Sequence, residues 1–240
     1  MNNRCLIYLI LFSFMLNLHS FAQDNKEKKE KKAKISKSDF IVVLSTQFGD
    51  VKLLLYEETP KHRENFLKLV KEGFYNNLLF HRVIKEFMIQ GGDPESKNAV
   101  PDKRLGSGGL PYKIDAEFNP KFIHKKGALA AARDNNPQKA SSSCQFYIVQ
   151  GKKISDAELA NKKYTDKQKE IYKSIGGTPF LDNNYTVFGE VLSGLEIIDK
   201  IAQQETDPST NRPRKDVQMS MKIEKLSKKK ITKLYGYLYE

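Results

Sequence analysis

Two short apolar runs follow residue 39. Phe40-Ile41-Val42-Val43-Leu44 and Val51-Lys52-Leu53-Leu54-Leu55-Tyr56 are rich in β-branched and apolar residues, and Phe48-Gly49-Asp50 supplies a turn between them. The pair predicts a β-hairpin. Thr59 is placed to cap a helix whose first turn accepts Pro60. Phe66, Leu69 and Val70 fall at helical spacing and Gly73 stops the helix, so one face must lie on something apolar. Strand-like sequence resumes from Phe80 to Asp93. The stretch Pro94 to Pro111 is dominated by Gly, Pro, Ser, Asn and charge, as expected of a functional loop.

Further along, Ser155-x-x-Glu158 and Thr165-x-x-Gln168 match the capping-box pattern and predict two short, lysine-rich helices. Gly194 opens a helix with Leu195, Ile198 and Ile201 on one face. Val217 to Leu226 alternates through Val217, Met219, Met221 and Ile223 as a closing strand should. The tail residues Ile231, Leu234, Tyr235 and Leu238 have helical spacing and read as a segment docking on the domain. Many short strands with a few helices place the chain in a mostly β, α+β class. No internal repeat is visible.

At 240 residues the chain fits one domain with appendages. Arg4, the apolar run Leu6 to Leu18 and the break Ser20-Phe21-Ala22 read as a secretory signal peptide over 1–22. The run contains Asn17 and falls short of the roughly 20 apolar residues of a membrane span. The chain is therefore expected to be exported, to the periplasm or beyond, with no stable span after cleavage. Cys5 precedes the apolar run and leaves with it. Cys144 then stands alone, which excludes an internal disulfide or a CxxC metal site and reads as a small, partly buried thiol.

The formal charge of +12 invites a nucleic-acid reading. Much of the excess sits in Lys26 to Lys37 and Lys228 to Lys233, and the first of these interleaves glutamates. That composition describes a solvated tether over 23–38 and a basic tail over 227–240, and export argues against a nucleic-acid partner. Gly106-Ser107-Gly108-Gly109 lacks the Lys-Ser/Thr and helix of a phosphate loop. Ser141-Ser142-Ser143 lacks the G-x-S-x-G elbow of a serine hydrolase and reads as a loop. His62 and His124 show neither ligand spacing nor a nucleophile partner. His81 alternates with Arg82 on its strand and reads as a buried structural histidine.

Phe80 to Asp93, F-H-R-V-I-K-E-F-M-I-Q-G-G-D, sets one arginine and one glutamine among large apolar residues. It resembles the signature of the cyclophilins, the peptidyl-prolyl cis-trans isomerases. Gly127 to Val149 (G-A-L-A-A-A-R-D-N-N-P-Q-K-A-S-S-S-C-Q-F-Y-I-V) and Phe180 to Val191 (F-L-D-N-N-Y-T-V-F-G-E-V) resemble the family's other two site-forming stretches, in the same order. The resemblance covers roughly Asp39 to Leu226. It implies an eight-stranded closed antiparallel β-barrel with a helix over each open end, interrupted here by a short helical insertion at 152–177.

The resemblance also implies a site. Arg82 corresponds to the cationic donor of catalysis and Gln90 to the glutamine that positions it or the substrate carbonyl. Phe87, Met88, Leu181 and Tyr147 correspond to the proline-pocket wall, with Tyr147 in place of the usual phenylalanine and its hydroxyl in need of a partner. Ala132 and Arg133 match the backbone platform, and Gln145 a second polar group at the groove, expected to point the same way as Tyr147. Tyr185 stands where many members have histidine. Phe180 replaces the tryptophan that contacts cyclosporin in the best-known members, implying weak cyclosporin binding. The implied enzyme needs no cofactor or metal, acts on proline-containing unfolded or flexible polypeptides, and has no need to be more than a monomer. A non-catalytic proline-peptide binding module or holdase on the same barrel stays open, as does a basic cell-envelope scaffold whose binding salt would control.

Overall fold

In the computed structural model, which describes residues 36–101 and 103–239, the hairpin is the first element. β1 (Ser38–Thr46) and β2 (Gly49–Leu55) pair antiparallel with Thr46 opposite Gly49. The turn therefore falls on Gln47-Phe48, and Asp50, expected in it, already pairs with Ser45. The predicted leader and residues 23–35 of the predicted tether lie outside the described residues. Ser38, expected at the tether's end, is instead the first residue of β1 and pairs with Ser227.

The remaining strands are β3 (Leu78–Leu79), β4 (Arg82–Ile84), β5 (Met88–Gly91), β6 (Lys113–Ile114), β7 (Ala128–Ala131), β8 (Ser141–Ser142), β9 (Phe146–Val149), β10 (Val187–Ser193) and β11 (Gln218–Ser227). Nine of them form one antiparallel sheet in the order β3-β11-β1-β2-β10-β7-β9-β5-β4, while β6 pairs with β8. Eight strands were expected; the ninth arises because pairing breaks at Phe80-His81, where the chain passes from the edge beside β11 to the edge beside β5. The two ends of the sheet are thus joined by two residues, a reach of about 10 Å at full extension. The sheet is curled, and among the described residues no ladder joins β3 to β4 to close the expected barrel.

Alternation along the strands sorts the side chains into two populations. Val42, Leu44, Leu53, Leu55, Ile89, Leu129, Phe146 and Ile148 share the main interior cluster. Their strand neighbours Met88, Ala128, Ala130, Tyr147 and Val149 form a second cluster on the other face. The first helix, α1 (Pro60–Lys71), gives Phe66, Leu69 and Val70 to the interior. Thr59 stands at its N-cap but makes no side-chain cap bond, its hydroxyl donating instead to the Tyr56 carbonyl. The exposed donors of the first turn are taken by Glu117, whose Oε1 accepts from Lys61 N and Oε2 from His62 N, at 3.0 and 2.9 Å. A carboxylate at a helix N-terminus is the better cap, because it also meets the positive end of the helix dipole.

Both predicted capping boxes are present, opening α2 (Asp156–Leu159) and α3 (Asp166–Ser174). Gly194, with φ 95°, opens α4 (Leu195–Ala202), whose Ile197, Ile198, Ile201 and Ala202 enter the same interior as α1. In the last helix, α5 (Lys228–Tyr235), Ile231 is fully buried against Ile41 and Leu54. Leu234 is exposed within the helix and Leu238 beyond it, where Gly236 ends the helix in the left-handed conformation, and Tyr235, Tyr237 and Tyr239 pack beside Ile231 instead.

Candidate active site

The register of the sheet lines up residues that are far apart in sequence. Arg82 of β4 lies opposite Gln90 of β5, Gln90 opposite Tyr147 of β9, and Tyr147 opposite Ala130 of β7. One row of cross-strand neighbours thus runs from a cation to an aromatic ring to an alanine, on the face away from the interior core. Met88 shares that face with Gln90, two residues along the same strand.

Apolar walls enclose this row. Met88, Tyr147, Ala132 and Leu181 are buried in one cluster, with Phe87 and Tyr185 partly buried against it. The rings of Tyr147 and Tyr185 meet edge to face at 6.0 Å, and Phe87 lies 5.6 Å from Phe180. Phe180 itself is 60 % exposed at the rim, which a 3-10 turn (Pro179–Leu181) brings over the pocket.

Polar groups are strung along one edge. Arg82 Nη1 donates to Gln90 Oε1 at 3.1 Å, Gln90 Nε2 donates to Gln145 Oε1 at 3.0 Å, and Gln145 Nε2 donates to the carbonyls of Gly106 and Gly108. Arg82 also lies 5.8 Å from the Phe87 ring centroid. Burial lowers its pKa from the usual arginine value, and the guanidinium stays charged. Arg133, expected to act through its main chain, stacks its guanidinium 4.7 Å from the Tyr185 centroid and donates to the Asn184 carbonyl. The long loop closes the far side of a cleft of about 580 Å³, lined by Gly106 to Pro111, Ala132, Arg133 and Gln145 among others. The N–H groups of Gly106 and Gly108 turn to Asp93 Oδ2, which leaves no phosphate cradle there.

Of the eleven residues expected at the site, Gln90, Ala132, Arg133 and Gln145 line the cleft, Met88, Tyr147 and Leu181 with Phe87 and Tyr185 form the apolar cluster beside it, Arg82 joins them through Gln90, and Phe180 lies against Phe87. Gln145 lies one residue before β9 and joins the polar edge, whereas the Tyr147 hydroxyl turns to His124 Nε2 at 2.9 Å. That partner was missed, and so was Asp182, which bonds His124 Nδ1 at 2.6 Å. His81 is buried as expected, and so is Cys144, whose thiol pKa is raised by burial.

His62, expected to have no nucleophile partner, lies between Glu117 and Ser141. Its Nδ1 meets Glu117 Oε2 at 2.7 Å and its Nε2 meets Ser141 Oγ at 2.9 Å. Ser141 belongs to β8 rather than to a loop. The order Ser, His, Glu is that of a nucleophile relay, but His62 is 2 % exposed and Ser141 1 %. No substrate carbonyl reaches a serine sealed in this way, and the three residues tie α1 to β8. Burial lowers the His62 pKa, with Glu117 acting in the opposite direction.

Comparison with known proteins agrees with the geometry. Residues 41–223 match the family described as cyclophilin type peptidyl-prolyl cis-trans isomerase/CLD. A Staphylococcus aureus (strain USA300) protein named as a peptidyl-prolyl cis-trans isomerase is 33% identical over 202 residues, 82% of this chain and 94% of its own. A Streptococcus pyogenes serotype M6 protein named as a bifunctional phosphatase/peptidyl-prolyl cis-trans isomerase is 36% identical over 181 residues, 73% of this chain but only 37% of that protein. The crystal structure of a Cryptosporidium parvum cyclophilin type isomerase superposes with a TM-score of 0.59 at 26% identity, covering 78% of this chain and 98% of that one. A curled antiparallel sheet that carries a half-buried arginine beside a cluster of aromatic residues, within a sequence matched to the family over most of its length, makes this chain a member of the cyclophilin-type peptidyl-prolyl cis-trans isomerases.

Proposed function

We propose that the isomerase acts through Arg82 on Xaa-Pro bonds of exported polypeptides and so assists their folding. Amide resonance sets a barrier of about 18 to 20 kcal/mol to rotation about such a bond, with relaxation in tens to hundreds of seconds, slow enough to limit folding. No bond need be made or broken. In the twisted state the prolyl nitrogen becomes pyramidal and accepts a hydrogen bond, so a fixed cationic donor at that nitrogen favours the twisted state over the planar one.

One observation carries the assignment. Arg82 is held by Gln90 through Nη1 alone, and its Nε and Nη2 have no protein hydrogen-bond partner among the described residues. A partly desolvated cation with unspent donors beside an apolar pocket is prepared for a polar atom brought in by a substrate. Met88, Phe87, Tyr147, Leu181 and Tyr185 receive the prolyl ring, which gains by leaving water. Ala132 and Arg133 lie along the chain of the peptide, and the adjoining cleft takes the residues before proline. Gln145 anchors Gln90 and the loop, and Phe180 closes the rim.

The export half of the proposal rests on the leader pattern at 1–22. No helix among the described residues is long and apolar enough to cross a membrane. We take the working form to be a monomer that binds no nucleic acid. Sequencing the N-terminus of the protein recovered from cells tests export, since cleavage after Ala22 leaves Gln23 first. Catalysis is tested by NMR exchange on a short Xaa-Pro peptide, with and without Arg82→Ala, where loss of one such donor costs roughly a hundred-fold in kcat. A wild-type chain that binds the peptide without speeding exchange would instead be a binding module.

A further inference from the structure

The insertion at 152–177 meets the proposed pocket through one carboxylate. Asp182 directly follows the pocket residue Leu181, and its side chain is only 7 % exposed. Its Oδ2 accepts from the hydroxyls of Tyr164 and Tyr172, both at 2.6 Å, and both tyrosines belong to the insertion. Its Oδ1 accepts from the backbone N–H and Nδ1 of His124, at 2.8 and 2.6 Å. Four donors fill the acceptor sites of one carboxylate. Burial alone would raise the Asp182 pKa, but the bonds from His124, Tyr164 and Tyr172 outweigh it and hold the group below the ordinary aspartate value.

An ionised carboxylate is an acceptor only, so the proton on this side of the imidazole sits on Nδ1. In the neutral ring Nε2 is then an acceptor, and the Tyr147 hydroxyl, 2.9 Å away, donates to it. The two rings also lie nearly parallel, 12° apart, with centroids 6.0 Å from each other. Tyr147 is 4 % exposed, so without this partner a buried hydroxyl would be left unpaired against the pocket.

The backbone ties the same parts together. Gly177 donates to the Lys152 carbonyl, Lys126 donates to the Gly176 carbonyl and Thr178 donates to the His124 carbonyl, at 3.0, 2.9 and 2.8 Å. Gly177 has φ +156°, and a Cβ there would fall 2.3 Å from the His124 carbonyl oxygen and 2.6 Å from the Tyr172 ring. Only glycine lets the insertion come this close. Ile123, Ile154, Leu159 and Tyr172 form a small apolar cluster beneath the contact.

We propose that the insertion is a brace for the proline pocket, in which Tyr164 and Tyr172 act through Asp182 and His124 as positioning residues that hold the Tyr147 hydroxyl away from the prolyl ring. Tyr147 then offers substrate an aromatic face, as a phenylalanine would. The inference rests on the reading of Tyr147 as pocket wall.

The test removes hydroxyls and nothing else. In the full chain, Tyr164→Phe combined with Tyr172→Phe should raise KM for an Xaa-Pro peptide about five-fold, the worth of one hydrogen bond. The kcat should move by less than about two-fold, because a loosened pocket weakens planar and twisted states alike. In a Tyr147→Phe background, which sets its own baseline, the same pair of substitutions should change KM by less than about two-fold. An equal rise in both backgrounds would assign the insertion to general stability and overturn the brace, as would no rise in either. Ring ¹⁵N shifts of His124 give a readout independent of turnover. Tyr147→Phe should move the Nε2 resonance, and an unmoved resonance in an active enzyme overturns the relay. A chain that shows the shift but does not accelerate exchange sinks the reading of the pocket, and with it the relay's part in catalysis.

Discussion

Arg82 and Gln90 stand directly opposite each other on neighbouring antiparallel strands, and the guanidinium of one donates to the amide oxygen of the other at 3.1 Å. The register of a two-strand turn thus decides which donor of the arginine is used up and which remain. Gln90 in turn is fixed by Gln145, and Gln145 by two carbonyls of the long loop. The orientation of one cation depends on three segments of chain.

Gln90→Ala should therefore lower kcat by roughly ten-fold while leaving the fold intact, since a hydrogen bond to a charged group is lost without emptying the core. NMR exchange on an Xaa-Pro peptide measures it. A variant as fast as the parent would mean that the packing of Arg82 against Phe87 is enough to aim it.

The cap of α1 gives a test of stability with no bearing on the pocket. Glu117→Ala should cost about 2 kcal/mol, because the helix start and buried His62 both lose their acceptor. Thr59→Ala removes only the bond to the Tyr56 carbonyl and should cost about 1 kcal/mol or less. Urea midpoints in the reverse order would return the capping role to Thr59.

Acid should destabilise the protein in a defined window. Burial brings the pKa of His81 from 6.5 down to about 4, with Asp93 acting against the shift and Arg82 and Arg212 adding to it. Above pH 6.5 the ring is neutral in folded and unfolded chains alike and carries no penalty. Between about 6.5 and about 4 the unfolded chain takes up a proton that the folded chain refuses, so stability falls as pH falls, by on the order of 3 kcal/mol in all. His62 is shifted in the same direction and contributes with the same sign. His81→Gln should flatten the pH dependence of the urea midpoint without abolishing it. An unchanged slope would show that His81 does not stay neutral in the folded protein.

At the rim, Phe180→Trp should tighten cyclosporin binding by about ten-fold, because the exposed ring gains both area and an indole N–H. Calorimetric titration of both forms decides it. Equal affinities would place the cyclosporin contact elsewhere in the pocket.

Local sequence was enough for the elements themselves. The hairpin of β1 and β2, both capping boxes, the alternation of β11 and the helix opened by Gly194 all depend on spacings within a dozen residues, where side-chain period and turn chemistry act. The eleven residues expected at the site occur in three contiguous motifs, and the sheet sets those motifs side by side. What escaped were side-chain partnerships between segments that only the curled sheet brings together. Ser141 is 79 residues from His62, Glu117 is 55 from it, and Asp182 is 58 from His124. The need of Tyr147 for a partner could be read from its hydroxyl alone; the partner could not. Spacing along the chain specifies which way a side chain points from its own strand or helix, and strand register across the sheet decides what it meets there.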